Sequence, residues 1–403
     1  MIKRLAVIAI MVVVAPLAAQ SGGRGRIPPR PRLPRDADTC DAYAYYEQGL
    51  ALLTEDPHDA AAAFWWAQRL SPATAEPYYA ERIALLMDDP SLLRGYVEEN
   101  ARTLASADVR RIDSLQLRAL DLDPFFPEQL DAELIVAYFK DIVRADLRAQ
   151  GADVGESEID FYVRSAIADA DMDTRVWLAF GRGDYREAVD YWGRQERSRR
   201  KDAHLRARRA QAYLLLGLPD SALAELDSAL AIARRADAER MRYVYDSKAR
   251  WEYERGRLAE LQGRDSAARE AYQRTLVEDL AFEPAHVRLA VVALRVADTA
   301  AAIAELQRAV AIDAGEYTSR LTLGALDAAR GAADSATAEL RRAIEIEPWV
   351  ALPHLLLAQA RETAGDRDGA VAEYRRFLAL AARGDPSLDT ARQRIAALTA
   401  PTP

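Results

Sequence analysis

The chain has 403 residues, of which 50% are hydrophobic and 29% are charged, so it has ample apolar content for a packed core and is not disordered as a whole. Its net charge is −9, and the seven cations of residues 1–35, where no acid occurs, leave −16 for the rest of the chain. This acidic body argues against nucleic acid as the main partner, because phosphate binding depends on clustered cations.

Residues 1–19 have the pattern of a secretory signal peptide. A basic start is followed by an apolar run from Leu5 to Leu17 and by small residues that suit cleavage after Ala19. The run is shorter than the roughly 20 residues of a membrane span. We therefore expect an exported protein, periplasmic or secreted, with an uncleaved N-terminal anchor as the less favoured alternative.

Residues 20–40 are rich in Gly, Pro and Arg, a composition that predicts a disordered linker because it cannot build a core. The linker is either a spacer or a basic tether that makes weak contact with anionic membrane lipids. The arginines available for such contact are Arg24, Arg26, Arg30, Arg32 and Arg35. Cys40 is the only cysteine, so no disulfide can form within the chain.

Residues 41–168 predict degenerate helical repeats. Helices are expected at 41–53, 58–70, 108–122 and 127–149, with a helix pair at 75–105 that breaks before Pro90. The first pair is crowded with aromatic residues, which at helical spacing usually form core. Because Trp65 and Trp66 are adjacent, they cannot both face the same way, and one of them is expected to face a groove or the linker.

A turn residue recurs at a fixed interval in the second half of the chain. The series is Gly183, Gly217, Gly263, Ala297, Gly331 and Gly365. Every step is 34 residues except the one between 217 and 263, which is 46. A period of this size predicts stacked helix pairs. We expect the 12 additional residues, at 237–248, to lengthen the first helix of the third pair.

Each turn residue is flanked by a regular pattern of small and large side chains. Ala follows five residues after the turn, and a large residue such as Tyr272 or Leu340 follows four residues later. Seven residues before the turn stands Ala or Gly, except at Val176. Spacings of three and four place these positions on one helical stripe, where small residues allow two helices to approach closely.

This pattern resembles the tetratricopeptide repeat family. The segment Gly324, Gly331, Ala336, Leu340, Ala343 and Pro348 contains the family's small–turn–Ala–large–Ala–Pro pattern in full. Gln195, Thr275 and the missing proline of most repeats depart from it. The resemblance implies an all-α, right-handed α-solenoid of stacked helix-turn-helix units. Its parts are six repeats at 169–202, 203–236, 249–282, 283–316, 317–350 and 351–384, a capping helix at 385–398 and a tail at 399–403.

The resemblance also implies a concave groove lined by the first helix of each pair. The lining positions would be Trp177, Phe180, Gln211, Tyr253, Arg257, Arg288, Val291, Leu321, Leu355 and Gln359. This mixture of aromatic, aliphatic and Arg side chains suits an extended or helical peptide. For any one of these residues, the alternative is that it packs against the neighbouring repeat.

Residue types that carry chemistry are scarce. The four histidines, at 58, 204, 286 and 354, lie in different repeats and have no metal-binding spacing. There is no phosphate-binding glycine loop, so we expect no metal, no cofactor and no enzyme. The sequence favours an exported scaffold that binds a protein or peptide of the cell envelope. The alternatives are a self-associating structural protein of the envelope, or a glycan-binding protein that uses its aromatic N-terminal repeat.

Overall fold

The computed structural model describes residues 27–97, 106–152, 154–170, 172–195, 202–239 and 247–400. These residues form helices, turns and loops, and none of them lies in a β-strand. The prediction of an all-α fold is therefore confirmed. The predicted signal peptide at 1–19 and the last three residues lie outside the described part of the chain.

The described helices follow one another with short connections. In chain order they are α1 (Ala42–Leu52), α2 (Pro57–Leu70), α3 (Glu76–Asp88), α4 (Pro90–Val97), α5 (Ser106–Leu122), α6 (Asp131–Ala149), α7 (Glu156–Ala168), α8 (Met172–Gly181), α9 (Tyr185–Gln195), α10 (Ala203–Leu215), α11 (Pro219–Glu239), α12 (Ala249–Leu261), α13 (Asp265–Glu278), α14 (Glu283–Arg295), α15 (Thr299–Ile312), α16 (Tyr317–Ala329), α17 (Ala333–Ile346), α18 (Leu352–Thr363), α19 (Arg367–Leu380) and α20 (Leu388–Thr399).

Helices α8 to α19 form six successive antiparallel pairs. We call the even-numbered members of α8–α19 the first helices, the odd-numbered members the second helices, and residues 172–400 the repeat array. All six predicted turn residues have positive φ, including Ala297 at 59°. The backbone N–H of Asp298 donates to the carbonyl of Ala293 (2.9 Å), which closes the end of the first helix. The predicted turn positions are thus confirmed.

The small positions allow the two helices of a pair to touch. A Cβ atom added to Gly324 of α16 would lie 2.6 Å from Cγ of Leu340 in α17. The second helix contributes Ala336, which is 0% exposed. The large residue of one helix therefore packs directly onto the backbone of the other, as the pattern predicted.

The 12-residue insertion lies elsewhere than expected. Helix α11, the second helix of its pair, runs for 21 residues to Glu239, and α12 begins only at Ala249. The prediction that the insertion lengthens the first helix of the next pair is wrong. The segment from Ala231 to Glu239 contains Ala, Arg and Glu and no Gly or Pro, so nothing in it ends a helix.

Helices α1–α7 pack around a core of their own, and we call residues 27–170 the N-terminal unit. The fully buried members of this core, such as Phe64, Ile83 and Phe126, all lie between Leu53 and Val163. Helices α1, α2 and α3 pack in sequence, and α5 packs on α3. Phe64 covers Gly49 in the same way that Leu340 covers Gly324, which relates the first pair to the array.

Candidate partner-binding site

The N-terminal unit lies along the repeat array in the opposite chain direction. Asp38 accepts a hydrogen bond from the backbone N–H of Arg383 (2.6 Å), and Arg69 pairs with Glu347 (2.6 Å), Arg118 with Glu316 (3.3 Å), Asp121 with Arg250 (2.8 Å) and Glu128 with Arg208 (2.8 Å). The five array residues lie in first helices or in loops that follow second helices. The chain's own N-terminal unit therefore covers much of the surface where a partner was expected.

An aromatic side chain anchors this contact. Phe125 is 6% exposed and packs among Ala210, Leu226 and Leu258 of helices α10, α11 and α12. Its neighbour Phe126 belongs to the core of the N-terminal unit instead. The short connection between α5 and α6 thus joins the two cores, which fixes the position of the unit on the array.

Two of the predicted lining residues bind the chain itself. The hydroxyl of Tyr253, which is 1% exposed, donates to the carbonyl of Asp121 (2.7 Å). The amide of Gln211 donates to the carbonyl of Phe126 (3.4 Å). Both side chains are on the expected face of a first helix, but the N-terminal unit already occupies that face.

The predicted lining arginines neutralise a buried carboxylate. Arg257 and Arg288 both contact Glu260, as do Arg295 and the hydroxyl of Tyr272 (2.6 Å). Burial alone would raise the pKa of Glu260, but the hydrogen bonds from Arg288 and Tyr272 hold that pKa below its ordinary value. These guanidinium groups are engaged within the array.

The other lining residues differ in exposure along the array. Phe180 and Leu355 are 1% and 7% exposed and belong to the array core, so they match the alternative of packing between repeats. The Trp177 ring lies under the guanidinium of Arg208, 4.7 Å from its centroid. Val291 in α14 and Leu321 in α16 are half-buried, and Gln359 in α18 is exposed. The open positions are therefore in the C-terminal half of the array.

A periodic ion pair was missed by the sequence analysis. A cation near the start of the first helix meets a Glu 19 residues later in the second helix. The pairs are Arg206 with Glu225 (3.1 Å), His286 with Glu305 (2.7 Å), Arg320 with Glu339 (2.8 Å) and His354 with Glu373 (2.7 Å). The signal was available, because these acids recur at multiples of 34 or at the 46-residue step. Two of the four histidines thus serve the repeat.

Buried carboxylates collect where the N-terminal unit meets the array. Burial, together with the nearby carboxylate of Glu316, raises the pKa of Glu283 to about 9. Oε1 of Glu283 has no hydrogen-bond partner. Arg118 lies between these acids and partly offsets their repulsion. This boundary is consequently polar and dependent on protonation.

The described part of the chain contains no group of three His, Cys, Asp or Glu side chains placed to hold a metal ion. Within the same residues, no helix has the length and the apolar content to cross a bilayer.

No protein-family model and no curated protein matches the chain. Solved structures with similar helical repeats include YrrB, a TPR protein with an unusual peptide-binding site (18% identity, 51% of this chain and 100% of YrrB, TM-score 0.41). PilW, a type IV pilus biogenesis factor, is 18% identical over 54% of this chain and 94% of PilW, with a TM-score of 0.41. The C-terminal part of a TPR repeat-containing protein from Cytophaga hutchinsonii is 16% identical over 56% of this chain and 94% of that chain, with a TM-score of 0.44.

At these identities the likeness concerns the fold and not the ligands of those proteins. The helix pairs, the turn residues of positive φ and the close-packed small positions are properties of this chain itself. On these features, the repeat array is an α-solenoid of tetratricopeptide-like repeats.

Proposed function

We propose that this chain is a protein-interaction scaffold whose partner binds along the first helices α14, α16 and α18. The observation that supports this proposal is the change in exposure along the array. Gln211 and Tyr253, near its start, contact the N-terminal unit, whereas Val291 and Leu321 are half-buried and Gln359 is exposed. Positions that a partner can reach are thus concentrated in the C-terminal half.

The partner's chemistry follows from these side chains. Val291 and Leu321 are aliphatic, and they lie on neighbouring first helices of the solenoid. A helical or extended peptide segment with apolar side chains suits such a surface, since stacked helices form a continuous groove. A polyanion does not suit it, because the body of the chain is acidic.

The test compares two variants that add the same charge. Leu321→Lys with Gln359→Lys changes the first helices, and Gln307→Lys with Ala338→Lys changes exposed positions of the second helices α15 and α17. The tagged full-length protein is purified from its native cell envelope, and circular dichroism verifies the fold of both variants. We expect a stoichiometric partner that the control retains and the first-helix variant loses. A partner retained by both variants would contradict the proposed site.

We also propose that the mature protein is exported to the cell envelope, where its partner resides. The support is the signal-peptide pattern of residues 1–19. The intact mass of protein isolated from the envelope fraction tests this proposal. A chain that begins at residue 20 is the expected result, and a full-length chain in the cytosolic fraction would overturn it.

The structure does not favour glycan binding through the first helix pair. The ring of Trp65 faces Arg69 and Trp349, and the ring of Trp66 faces Arg30 and Trp349. Trp66 is 6% exposed. A sugar ring stacks on a free aromatic face, and these two indoles already have partners on theirs.

A further inference from the structure

Aromatic side chains from both ends of the chain form a cleft. Trp65 and Trp66 of α2 meet Trp349, which lies between α17 and α18, with ring centroids 5.7 and 5.4 Å apart. Tyr45 of α1 stands 6.5 Å from Trp66. We call these four residues the aromatic cleft. It has one wall from the N-terminal unit and one from the repeat array, and the Arg69–Glu347 ion pair joins the two walls.

The chain's own residues 28–34, Pro-Pro-Arg-Pro-Arg-Leu-Pro, lie in this cleft. The indole N–H of Trp66 donates to the carbonyl of Pro28 (3.2 Å). The guanidinium of Arg30 lies 4.7 Å from the ring centroid of Trp66 and 5.4 Å from that of Tyr45. Leu33 packs against the same aromatic cluster. The composition predicted a disordered linker here, but these residues, which we call the strap, make specific contacts.

The contacts of the strap are those of peptide recognition. Pro28 and Pro31 are half-buried, whereas Pro29 and Arg32 between them are exposed. A polyproline II segment repeats every three residues, so alternate sides of this kind are expected when one of its faces is bound. Aromatic grooves bind such segments because proline fixes the backbone in advance and lowers the entropic cost of binding. The stacked Arg30 adds cation–π attraction.

We infer that the aromatic cleft is a binding site for extended proline–arginine segments, and that residues 28–34 are its resident ligand. The strap is therefore a reversible occupant and not a fixed part of the core. This inference goes beyond the proposed scaffold function, since it concerns a different surface and does not depend on helices α14, α16 and α18.

Occupation of the cleft is coupled to docking of the two ends of the chain. Residues just after the strap are tied to the array, because Asp38 accepts from the N–H of Arg383 and the Arg383 side chain donates to the carbonyl of Ala37 (2.9 Å). The complete cleft exists only while α2 lies against the loop that carries Trp349. A ligand that needs both walls consequently favours the docked arrangement.

The experiment uses the full-length chain and a fluorescently labelled peptide of residues 27–36. A loosened-strap variant carries Pro28→Gly, Arg30→Ser and Pro31→Gly, and Arg30→Ser alone is the milder version. Anisotropy measures binding of the peptide to wild type and to each variant. Because a tethered segment has an effective concentration on the order of millimolar, we expect at least tenfold tighter binding to the loosened-strap variant than to wild type.

Two controls distinguish recognition from charge attraction. A peptide with Arg30→Ser should bind the loosened-strap variant at least tenfold more weakly, and Trp66→Phe within that variant should weaken the original peptide at least fivefold. Near-ultraviolet circular dichroism verifies the fold of each variant. No peptide binding to folded loosened-strap or Arg30→Ser variants would overturn the inference. Binding that is insensitive to both control substitutions would also overturn it, since it would reflect only the acidic body of the chain.

Discussion

The close contact between α16 and α17 gives the sharpest test of the repeat architecture. In Gly324→Ala, the new Cβ would lie 2.6 Å from Cγ and 2.8 Å from Cδ2 of Leu340. Both distances are shorter than carbon–carbon contact allows, so one helix must shift. Overpacking of this kind costs about 1–3 kcal/mol, whereas Ala in place of a helical Gly gains only about 0.5–1 kcal/mol.

We therefore expect Gly324→Ala to lower the free energy of unfolding by about 1–2 kcal/mol in urea titrations followed by circular dichroism. Gly193→Ala in α9 is the matched control, because nothing lies within 4 Å of a Cβ atom at that exposed position. This control should gain about 0.5–1 kcal/mol.

A second substitution tests the cause of the loss. Leu340→Ala removes the atoms that the new Cβ meets and by itself costs about 2–5 kcal/mol. In the double variant the Gly324→Ala clash disappears, so the two changes should be non-additive by about 1–2 kcal/mol. If Gly324→Ala is as stable as the Gly193→Ala control, or if the two changes are additive, the close-packing explanation of the small positions is wrong.

Three further predictions use the same urea titrations. Ala297→Gly should raise the free energy of unfolding by about 1 kcal/mol, because Ala297 has a φ of 59° that disfavours a Cβ atom; a loss of stability would contradict this. Tyr253→Phe should cost about 1 kcal/mol, the worth of its hydrogen bond to Asp121, and should make the N-terminal unit more sensitive to protease; unchanged values would contradict the docked arrangement. Burial raises the pKa of Glu283 from 4.5 to about 9, so its stabilising contribution is complete below pH 4.5 and is lost as the pH rises through about 9. We expect stability to fall less steeply between pH 5 and 9 in Glu283→Gln than in wild type; equal slopes would contradict the assignment.

The sequence predicted the repeat architecture well because the contacts that define it are local and periodic. Leu340 meets Gly324 only 16 residues away, and the same relation recurs in other pairs, as between Tyr272 and Gly256. Even the single non-glycine turn residue, Ala297, could be assigned from its place in the series. The direction of the insertion was missed, since the spacing gives the number of additional residues but not the helix that takes them up.

The strap shows a limit of composition as evidence. Gly, Pro and Arg exclude an independent core in residues 20–40, and residues 27–34 indeed have no helix or strand. Composition does not reveal whether another surface binds such a segment. The adjacent tryptophans gave a partial signal: one of them was expected to face a groove or the linker, and Trp66 does donate to Pro28. Arg30, which was considered for membrane contact, stacks on aromatic rings instead.

The candidate site was harder to predict, because a helical pattern indicates which face a residue occupies but not what covers that face. Tyr253 and Gln211 are on the expected side of their helices, yet their partners lie 132 and 85 residues away. Such contacts have no period and depend on the irregular connection at Phe125. The charges at this boundary carry a consequence for function. Arg118 faces Glu316 and offsets the repulsion at Glu283, so the N-terminal unit fits an acidic inner surface that an acidic partner would not. A partner that competes for the covered half of the array must therefore bring its own cations, whereas one that binds α14 to α18 needs only apolar side chains.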